Sequence, residues 1–382
     1  MNHQLKKLKS LNLTVFWDLG ISMSLFDQIG SLDREIAIYQ ELAKYLKTVN
    51  FITYGGNNDL EFKQKLKNIN LYQLYWSTYL KNSYLTLPQI LLKYRSLINQ
   101  TDIIKTNQLP GIEVILWLCQ WYQKRLIFRC GYLHSYFLKQ KHYPLRQIKY
   151  IEKLEQKAFQ TADKSIVTTQ WQKDYVMDKY RLNPNQVQVI PNYILTNVFK
   201  PVFKVPKKYD LIYVGRGSKQ KNLISLLKAI FILKQKWLNI NIALVGSCQE
   251  SQEIRSYVNR HQLLVNFVGN IKQKKLNLLL NQSKIFILPS LFEGHPKSLL
   301  EAMSSGLACI GTTVTGIKEE IKHFKTGYLC QTDPNSLAAA IKTLLKKPKL
   351  RKKMGLNARN YILGNYDLKL ILKKEVRVLE SI

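Results

Sequence analysis

Short apolar runs alternate with longer stretches of helical periodicity along both halves of the chain. In the first half, strand-like runs such as LTVFWDL and VNFITYGG flank the amphipathic stretch SLDREIAIYQELAKYL at residues 31–46. In the second half, the runs YDLIYVG, INIALVG, LVNFVGN and KIFILPS are almost wholly apolar, which is typical of parallel strands buried on both faces. The pattern predicts an α/β protein with doubly wound parallel sheets and helices on both faces of each sheet.

The periodicity fails once, between residues 194 and 210, where two prolines interrupt the chain. A chain of 382 residues is too long for one compact core, so two domains are expected. We predict a Rossmann-like domain at 1–195, a linker at 196–208 and a second Rossmann-like domain at 209–366, facing each other across a cleft. The helix predicted at about 367–382 is a candidate to pack back on the first domain.

One stretch, NLYQLYWSTYLKNSYLTLPQILLKYR at residues 70–95, combines tyrosines with basic residues. This composition suits docking at a membrane interface. It equally suits a helix packed on the sheet, and the sequence leaves both alternatives open.

Composition excludes several classes of protein. No apolar run reaches the eighteen residues of a membrane-spanning helix, and the short N-terminal apolar stretch meets Asp18, which favours a first strand over a signal peptide. The five cysteines are scattered and never form a C-x-x-C pair, as expected for reduced thiols in the cytoplasm. His and Cys lack zinc-site spacing, and no metal is expected.

The formal net charge of +33 calls for an anionic partner or reflects compositional bias. The excess of lysine and arginine is spread along the chain, and no nucleic-acid-binding signature accompanies it. An anionic membrane surface is therefore the first interpretation, a solvated compositional bias ranks close behind, and nucleic acid is a distant third.

The first chemical motif is LPSLFEGHPKSLLEAMSSGLACIG at residues 288–311, which predicts a strand, a loop, a helix and a strand. Pro296 is suited to the first helical position, and Gly306 ends the helix. The free N–H groups at the helix start attract phosphate or another anion. Glu293 lies in the loop and Glu301 on the helix, about 7 Å along the axis from Pro296, where it can face the same crevice.

The second motif is YVGRGSKQKNLISLLKAI at residues 213–230, where a strand ends at Gly215 and a basic turn leads into a helix containing Lys221 and Asn222. Arg216 provides a planar fork and Lys221 a point charge, a combination suited to pyrophosphate. The motif is neither a G-x-G-x-x-G fingerprint nor a P-loop. Because ligands of such sheets bind outside the carboxyl ends of the strands, both motifs are expected at one site.

These residues resemble a known family. GRGSKQKN, ALVGS, VNFVGNI and the segment from LPSLFEGHP to FKTGYL are similar, in order and spacing, to the family 4 retaining glycosyltransferases of GT-B architecture, including the E-x7-E pattern of Glu293 and Glu301. The resemblance covers the whole second half and residues 162–199. The remainder matches more loosely and resembles bacterial members that build surface polysaccharide or lipopolysaccharide.

The resemblance implies a role for each matching position. Arg216 and Lys221 would neutralise the diphosphate of a nucleotide-sugar, and Glu293 would contact hydroxyls of the donor sugar. Glu301 would accept hydrogen bonds from the ribose. The other donor-side positions are Gly215, Ile271 beside the base, and the loop and helix start at Gly294, His295, Pro296, Lys297, Ser298 and Leu299. Members of this family need no metal or cofactor, since the UDP-sugar or GDP-sugar donor is a co-substrate.

The sequence signal for acceptor-binding residues is less specific. Many relatives place a histidine after an early strand, but this chain has Asn107 and Gln108 there, with His134 as a weaker alternative. For His134 the simpler interpretation is a polar residue beside an aromatic cluster. Glu301 as a solvated helix residue and Arg216 as a surface ion-pair partner are the corresponding alternatives on the donor side.

Together the resemblance and the charge imply a cytoplasmic hexosyltransferase, peripheral at the inner face of the cell membrane. It would transfer a hexose to a glycan or lipid-linked glycan during surface polysaccharide synthesis. The alternatives are a GT-B epimerase or phosphorylase, or a non-catalytic basic scaffold on a membrane.

Overall fold

The computed structural model describes residues 6–75, 83–236 and 238–382. The chain divides into two compact units. The first contains Met1–Asp27, Leu32–Pro191 and Ile371–Ile382, and the second contains Gln28–Ser31 and Asn192–Leu370.

The first unit is built on a seven-stranded sheet in which every neighbouring pair is parallel. Its spatial order is β3-β2-β1-β4-β5-β6-β7, so the direction of winding reverses between β1 and β4. The strands are β1 Asn12–Phe16, β2 Thr48–Thr53, β3 Ile69–Gln73, β4 Ile103–Thr106, β5 Arg125–Arg129, β6 Lys164–Val167 and β7 Val187–Val189. This order is that of a doubly wound Rossmann-like sheet.

Helices connect these strands, as parallel pairing requires. They are α1 Met23–Gln28, α2 Leu32–Leu42, α3 Leu87–Lys93, α4 Arg95–Gln100, α5 Ile112–Trp121, α6 His134–Gln140, α7 Leu145–Thr161 and α8 Gln170–Tyr180, with 3₁₀ segments at Gly56–Leu66 and Ser83–Thr86.

The tyrosine-rich stretch at 70–95 is not the single helix that one interpretation required. It starts inside the edge strand β3, where Tyr72 pairs with Ile52 of β2, and continues after the gap with a 3₁₀ segment and α3. Its middle part, 76–82, lies outside the described residues.

The second unit is built on a six-stranded parallel sheet in the order β10-β9-β8-β11-β12-β13. The strands are β8 Tyr209–Val214, β9 Ile242–Val245, β10 Val265–Gly269, β11 Ser283–Leu288, β12 Ala308–Thr312 and β13 Tyr328–Cys330. Strands β9 and β12, which have a neighbouring strand on each side, are buried at every position, which confirms the sequence interpretation of buried parallel strands.

The helices of this part of the chain are α9 Leu223–Gln235, α10 Gln252–Arg260, α11 Gln273–Asn281, α12 Lys297–Ser304, α13 Pro334–Lys346, α14 Pro348–Asn365 and α15 Leu368–Glu380, with 3₁₀ segments at Lys219–Lys221 and Ser247–Glu250. Pro334 and Pro348 each open a helix at a position that needs no N–H. Across the three described ranges, no helix is long and apolar enough to cross a bilayer.

The winding of the second sheet reverses between its neighbouring strands β8 and β11. Here Ile285 pairs with Leu211 and Phe286 with Ile212, both in parallel register. The loops that leave these two strands at their carboxyl ends therefore start side by side. Such a switch point is where open α/β sheets bind their ligands. The fold thus confirms the predicted pair of doubly wound sheets and brings both chemical motifs to one place.

Candidate active site

Hydrogen bonds join the two loops at the β8–β11 switch point. Gln220 Nε2 donates to Phe292 O at 2.9 Å, and Leu291 N donates to Gln220 O at 2.9 Å. Asn222 Nδ2 donates to Pro289 O at 3.1 Å and to Thr332 O at 2.9 Å. Side-chain amides of the loop after β8 donate to backbone carbonyls of the loop after β11, so hydrogen bonds hold the two loops together. The two joined loops are here called the rim.

Glu293 lies on this rim with 7% of its surface exposed. Its Oε1 accepts from Lys221 Nζ at 2.5 Å and from Ser290 Oγ at 2.6 Å. Thr312 Oγ1 in turn donates to Ser290 O at 2.6 Å, so the serine is fixed as well. The carboxylate is therefore held by a cation and a hydroxyl from both loops.

The two basic candidates differ in their surroundings. Lys221 is largely buried, with 15% of its side chain exposed in the ion pair with Glu293, whereas Arg216 is exposed. The sequence prediction placed Lys221 and Asn222 inside a helix, and this is wrong. Lys221 ends the 3₁₀ turn, Asn222 is left-handed at φ 53°, and α9 begins at Leu223. The lysine therefore projects from a turn.

Two glycines allow close backbone approach at the site. A Cβ on Gly215 would lie 2.5 Å from Tyr213 Oη, which donates to Arg216 O at 2.9 Å. A Cβ on Gly316 would lie 2.1 Å from Gly294 O, and Gly316 has φ +84°. Any side chain at position 316 would displace the loop that carries Glu293.

Helix α12 follows that loop and ends as predicted, with Gly306 at φ +76° just beyond it. Its start differs by one residue, because Pro296 is the N-cap and Lys297 the first helical residue. The first N–H groups of the helix, such as that of Ser298, have no carbonyl to bond within their own helix. They supply the partial positive charge that the sequence predicted at this loop.

The helix turns its apolar and acidic side chains inward. Leu299 is fully buried, and Glu301 has only 3% of its surface exposed. The alternative of a solvated Glu301 is therefore wrong. A buried carboxylate is stable only with hydrogen-bonding or cationic neighbours.

His295 points into the second unit beneath the loop. Its Nδ1 accepts from Asn192 N at 3.3 Å, and its Nε2 lies 3.2 Å from Glu320 Oε1. Its ring meets Tyr366 edge-on with centroids 5.3 Å apart. Burial, followed by the nearby Glu320 charge, raises the pKa of Tyr366 above its usual range. Through these contacts with Asn192, Glu320 and Tyr366, the imidazole of His295 helps to hold the loop that carries Glu293.

Ile271, predicted beside the base, follows β10 and is partly buried against the core of the second unit. The donor-side candidates thus all lie in this unit. Within it, the structure directly joins Lys221 to Glu293, and the Glu293 loop leads straight into the start of α12.

The acceptor-side candidates lie in the first unit at the carboxyl ends of the neighbouring strands β4 and β5. Asn107 Oδ1 accepts from Tyr39 Oη at 2.9 Å, and Gln108 Oε1 accepts from Tyr132 N at 3.0 Å. His134 begins α6 and meets Tyr132 edge-on. Burial lowers the pKa of His134 to about 4, so the imidazole is neutral at physiological pH.

Sequence reasoning missed several residues that shape the site, namely Ser290, Gln220, Gly316, Glu320 and Asn192. All five stand within segments that carried the family resemblance, so their position was a usable signal. Their individual contacts, such as the hydrogen bond from the Gln220 side chain to Phe292 O, leave no pattern in a single sequence.

The arrangement suits a ligand that is both anionic and rich in hydroxyls. Arg216, Lys221 and the helix start offer positive charge, while Glu293 and Glu301 are acceptors for hydroxyl groups. Among the described residues, no three His, Cys, Asp or Glu side chains cluster as a metal site would require.

Two family models match the chain in succession. The model described as "Glycosyltransferase Family 4" matches residues 37–197, and that described as "Glycosyl transferases group 1" matches residues 196–361. Together they span the whole second sheet and the first sheet from β2 onward, and they include every donor-side residue discussed above.

Individual proteins agree with this assignment. The chain is 25% identical to an uncharacterized glycosyltransferase of Haemophilus influenzae, over 87% of this chain and 91% of the relative. It is 25% identical to the UDP-Gal:alpha-D-GlcNAc-diphosphoundecaprenol alpha-1,3-galactosyltransferase of Escherichia coli, over 51% and 54%. The structure of Anabaena HepE in complex with UDP-glucose superposes with a TM-score of 0.76 at 17% identity, covering 97% and 100% of the two chains.

The HepE similarity shows the fold, and the two models show the family. Relatives of the chain include glycosyltransferases that act in bacterial polysaccharide synthesis. The protein is a GT-B-fold glycosyltransferase and belongs to family 4.

Proposed function

We propose that the protein is a retaining, metal-independent hexosyltransferase. Its donor is a nucleotide-diphosphate sugar, either UDP-linked or GDP-linked, and its acceptor is a glycan or lipid-linked glycan of the cell surface. The observation that carries the proposal is the Lys221–Glu293 ion pair at 2.5 Å, which joins a basic turn to an acidic loop beside the start of α12.

In this proposal, the diphosphate lies against the N–H groups at the start of α12, where Arg216 and Lys221 neutralise its charge. Lys221 then shares its ammonium between Glu293 and a phosphate oxygen. Donors positioned on a leaving group in this way act most strongly as charge develops in the transition state. Glu301 accepts from the ribose hydroxyls and Glu293 from a hydroxyl of the sugar.

The transfer takes place on one face of the sugar. The bond between the anomeric carbon and the diphosphate oxygen breaks, and the acceptor oxygen forms its bond from the same side. The departing phosphate oxygen takes the acceptor proton, so no protein base is required. Asn107, Gln108 and His134 are proposed to line the acceptor side, with His134 uncharged. The basic chain works peripherally at the inner face of the membrane.

The test is calorimetric titration of the full-length protein with UDP-glucose, GDP-mannose and ADP-glucose in EDTA. We expect one nucleotide class to bind, and E301Q to weaken that binding because it removes the charge while keeping the shape of the side chain. The anomeric configuration of the product, read by proton NMR, tests retention. A folded protein that binds none of the donors would overturn the proposal.

A further inference from the structure

The outer face of α7 carries a stripe of basic residues. The helix turns Ile148, Glu155, Ala158 and Phe159 into the first unit. On the opposite side, the exposed basic residues are spaced three or four positions apart, which places them on one face. These residues, here called the α7 stripe, are Arg146, Lys149, Lys153 and Lys157.

The acidic residues of α7 do not neutralise the stripe, because both are already engaged. Glu152 Oε1 accepts from Lys139 Nζ at 2.7 Å and from Lys179 Nζ at 2.8 Å. Glu155 is buried, where Ser135 N and Tyr180 Oη donate to its carboxylate at 3.0 and 2.7 Å. Within the described ranges, no acidic side chain forms an ion pair with any residue of the stripe. Its charge is therefore available to a ligand.

Exposed apolar side chains stand beside the stripe at the start of the helix. Leu145 is 72% exposed, Tyr150 is 56% exposed and Tyr143 is 46% exposed. Tyr150 Oη donates to Glu113 at 3.2 Å, which fixes the ring. Next to Tyr150 is a groove of about 450 Å³ lined by Leu138, Arg146, Gln147, Tyr150 and Ile151.

We propose that the α7 stripe, with Tyr143, Leu145 and Tyr150, docks on an anionic lipid bilayer. Cations with aliphatic stems lie among headgroups, and tyrosine and leucine enter the boundary with the acyl chains. A partly apolar contact distinguishes a bilayer from a soluble polyanion, which needs charge alone. The inference rests on the proposed function for its biological setting, since a lipid-linked acceptor is met at a membrane.

The experiment measures binding of the full-length protein to sedimenting vesicles. The vesicles are phosphatidylcholine alone, or phosphatidylcholine with 30% phosphatidylglycerol, at low and at physiological salt. The test variant is R146Q/K149Q/K153Q. The matched control is K349Q/K352Q/K353Q, which removes three exposed cations from α14. Unfolding midpoints confirm that both variants fold.

We expect the wild type to bind the anionic vesicles only. The α7 variant should bind about a hundredfold more weakly, at roughly fivefold for each lost cation, while the control keeps nearly wild-type binding. L145S/Y150S should weaken vesicle binding and leave binding to soluble polyphosphate unchanged.

Three results would overturn the inference. They are no binding to anionic vesicles, equal losses in the two triple variants, and vesicle binding that is insensitive to L145S/Y150S. UDP-glucose, GDP-mannose and ADP-glucose calorimetry on the same samples reports on the donor site alone. A failed donor site and a failed docking surface are therefore distinguishable.

Discussion

Lys105 Nζ lies 2.7 Å from Glu375 Oε2 although 270 positions separate the two residues. Arg129 Nη1 donates to the other carboxylate oxygen at 2.9 Å. Burial alone would raise the pKa of Glu375, but Lys105 and Arg129 together hold it below its usual range. This buried triad ties α15 to strands β4 and β5 of the first unit.

Removing the acid of this triad should be strongly destabilising. E375A leaves two cations with reduced compensation, one of them fully buried, and breaking a buried pair in this way costs about 3–5 kcal/mol. Guanidinium unfolding followed by circular dichroism measures the free energy. The double variant K105M/E375L removes both charges of the closest pair and should recover much of the loss. Equal stabilities of E375A and wild type would contradict this account.

The cysteines should be unreactive in the folded protein. All five are buried and free of disulfides, and burial raises the pKa of Cys119, Cys248 and Cys330 to about 12 each. Because the thiolate is the reactive species, Ellman's reagent should titrate no thiol rapidly at pH 7.5. It should titrate five after denaturation in guanidinium. A fast-reacting native thiol would show that one of these sites opens.

His134 should remain neutral at pH values well below the usual titration range of histidine. With a pKa of about 4 in the folded chain and about 6.5 when unfolded, the unfolded state binds more protons between these values. Stability should therefore fall as the pH drops from 6.5 towards 4. NMR of labelled histidine follows the titration directly, and H134Q should flatten this part of the stability profile. A His134 resonance titrating near pH 6.5 would disprove the assignment.

Features that depend on local sequence patterns could be predicted, whereas features that depend on contacts between distant residues could not. Continuous apolar runs and glycine-ended loops marked the central strands and the β8–β11 site, because burial on both faces leaves a local signature. The edge strands β3 and β13 were not predicted, since polar residues interrupt INLYQ and YLC is only three residues long. The Lys105–Glu375 and His295–Glu320 pairs were not predicted either, because no local sequence pattern distinguishes a buried charge from a solvated one.

The contact between His295 and Glu320 should support donor binding by holding the loop that carries Glu293 in place. E320L removes the carboxylate that lies 3.2 Å from the buried Nε2 of His295. Leaving a buried imidazole without a polar neighbour costs about 1–3 kcal/mol and loosens the Glu293 loop. We expect the KM for the donor to rise more than kcat falls. E320Q keeps an acceptor oxygen and the shape of the side chain, and it should retain most of the affinity. Wild-type donor affinity in a folded E320L would contradict the role.

Lys221 should matter far more than its neighbour Lys219, although both belong to the same 3₁₀ turn. Lys221 is paired with Glu293 at 2.5 Å, whereas Lys219 is exposed. If Lys221 neutralises the leaving diphosphate, K221M should lower kcat by about 10²–10³-fold, the usual effect of removing one positioned transition-state donor. K219M removes the same charge from the same turn and should stay within a factor of two. Steady-state kinetics with the donor identified by calorimetry makes the comparison, with unfolding curves to confirm that both variants fold. Equal losses in the two variants would mean that general electrostatic attraction of the donor, rather than a positioned cation, explains the effect.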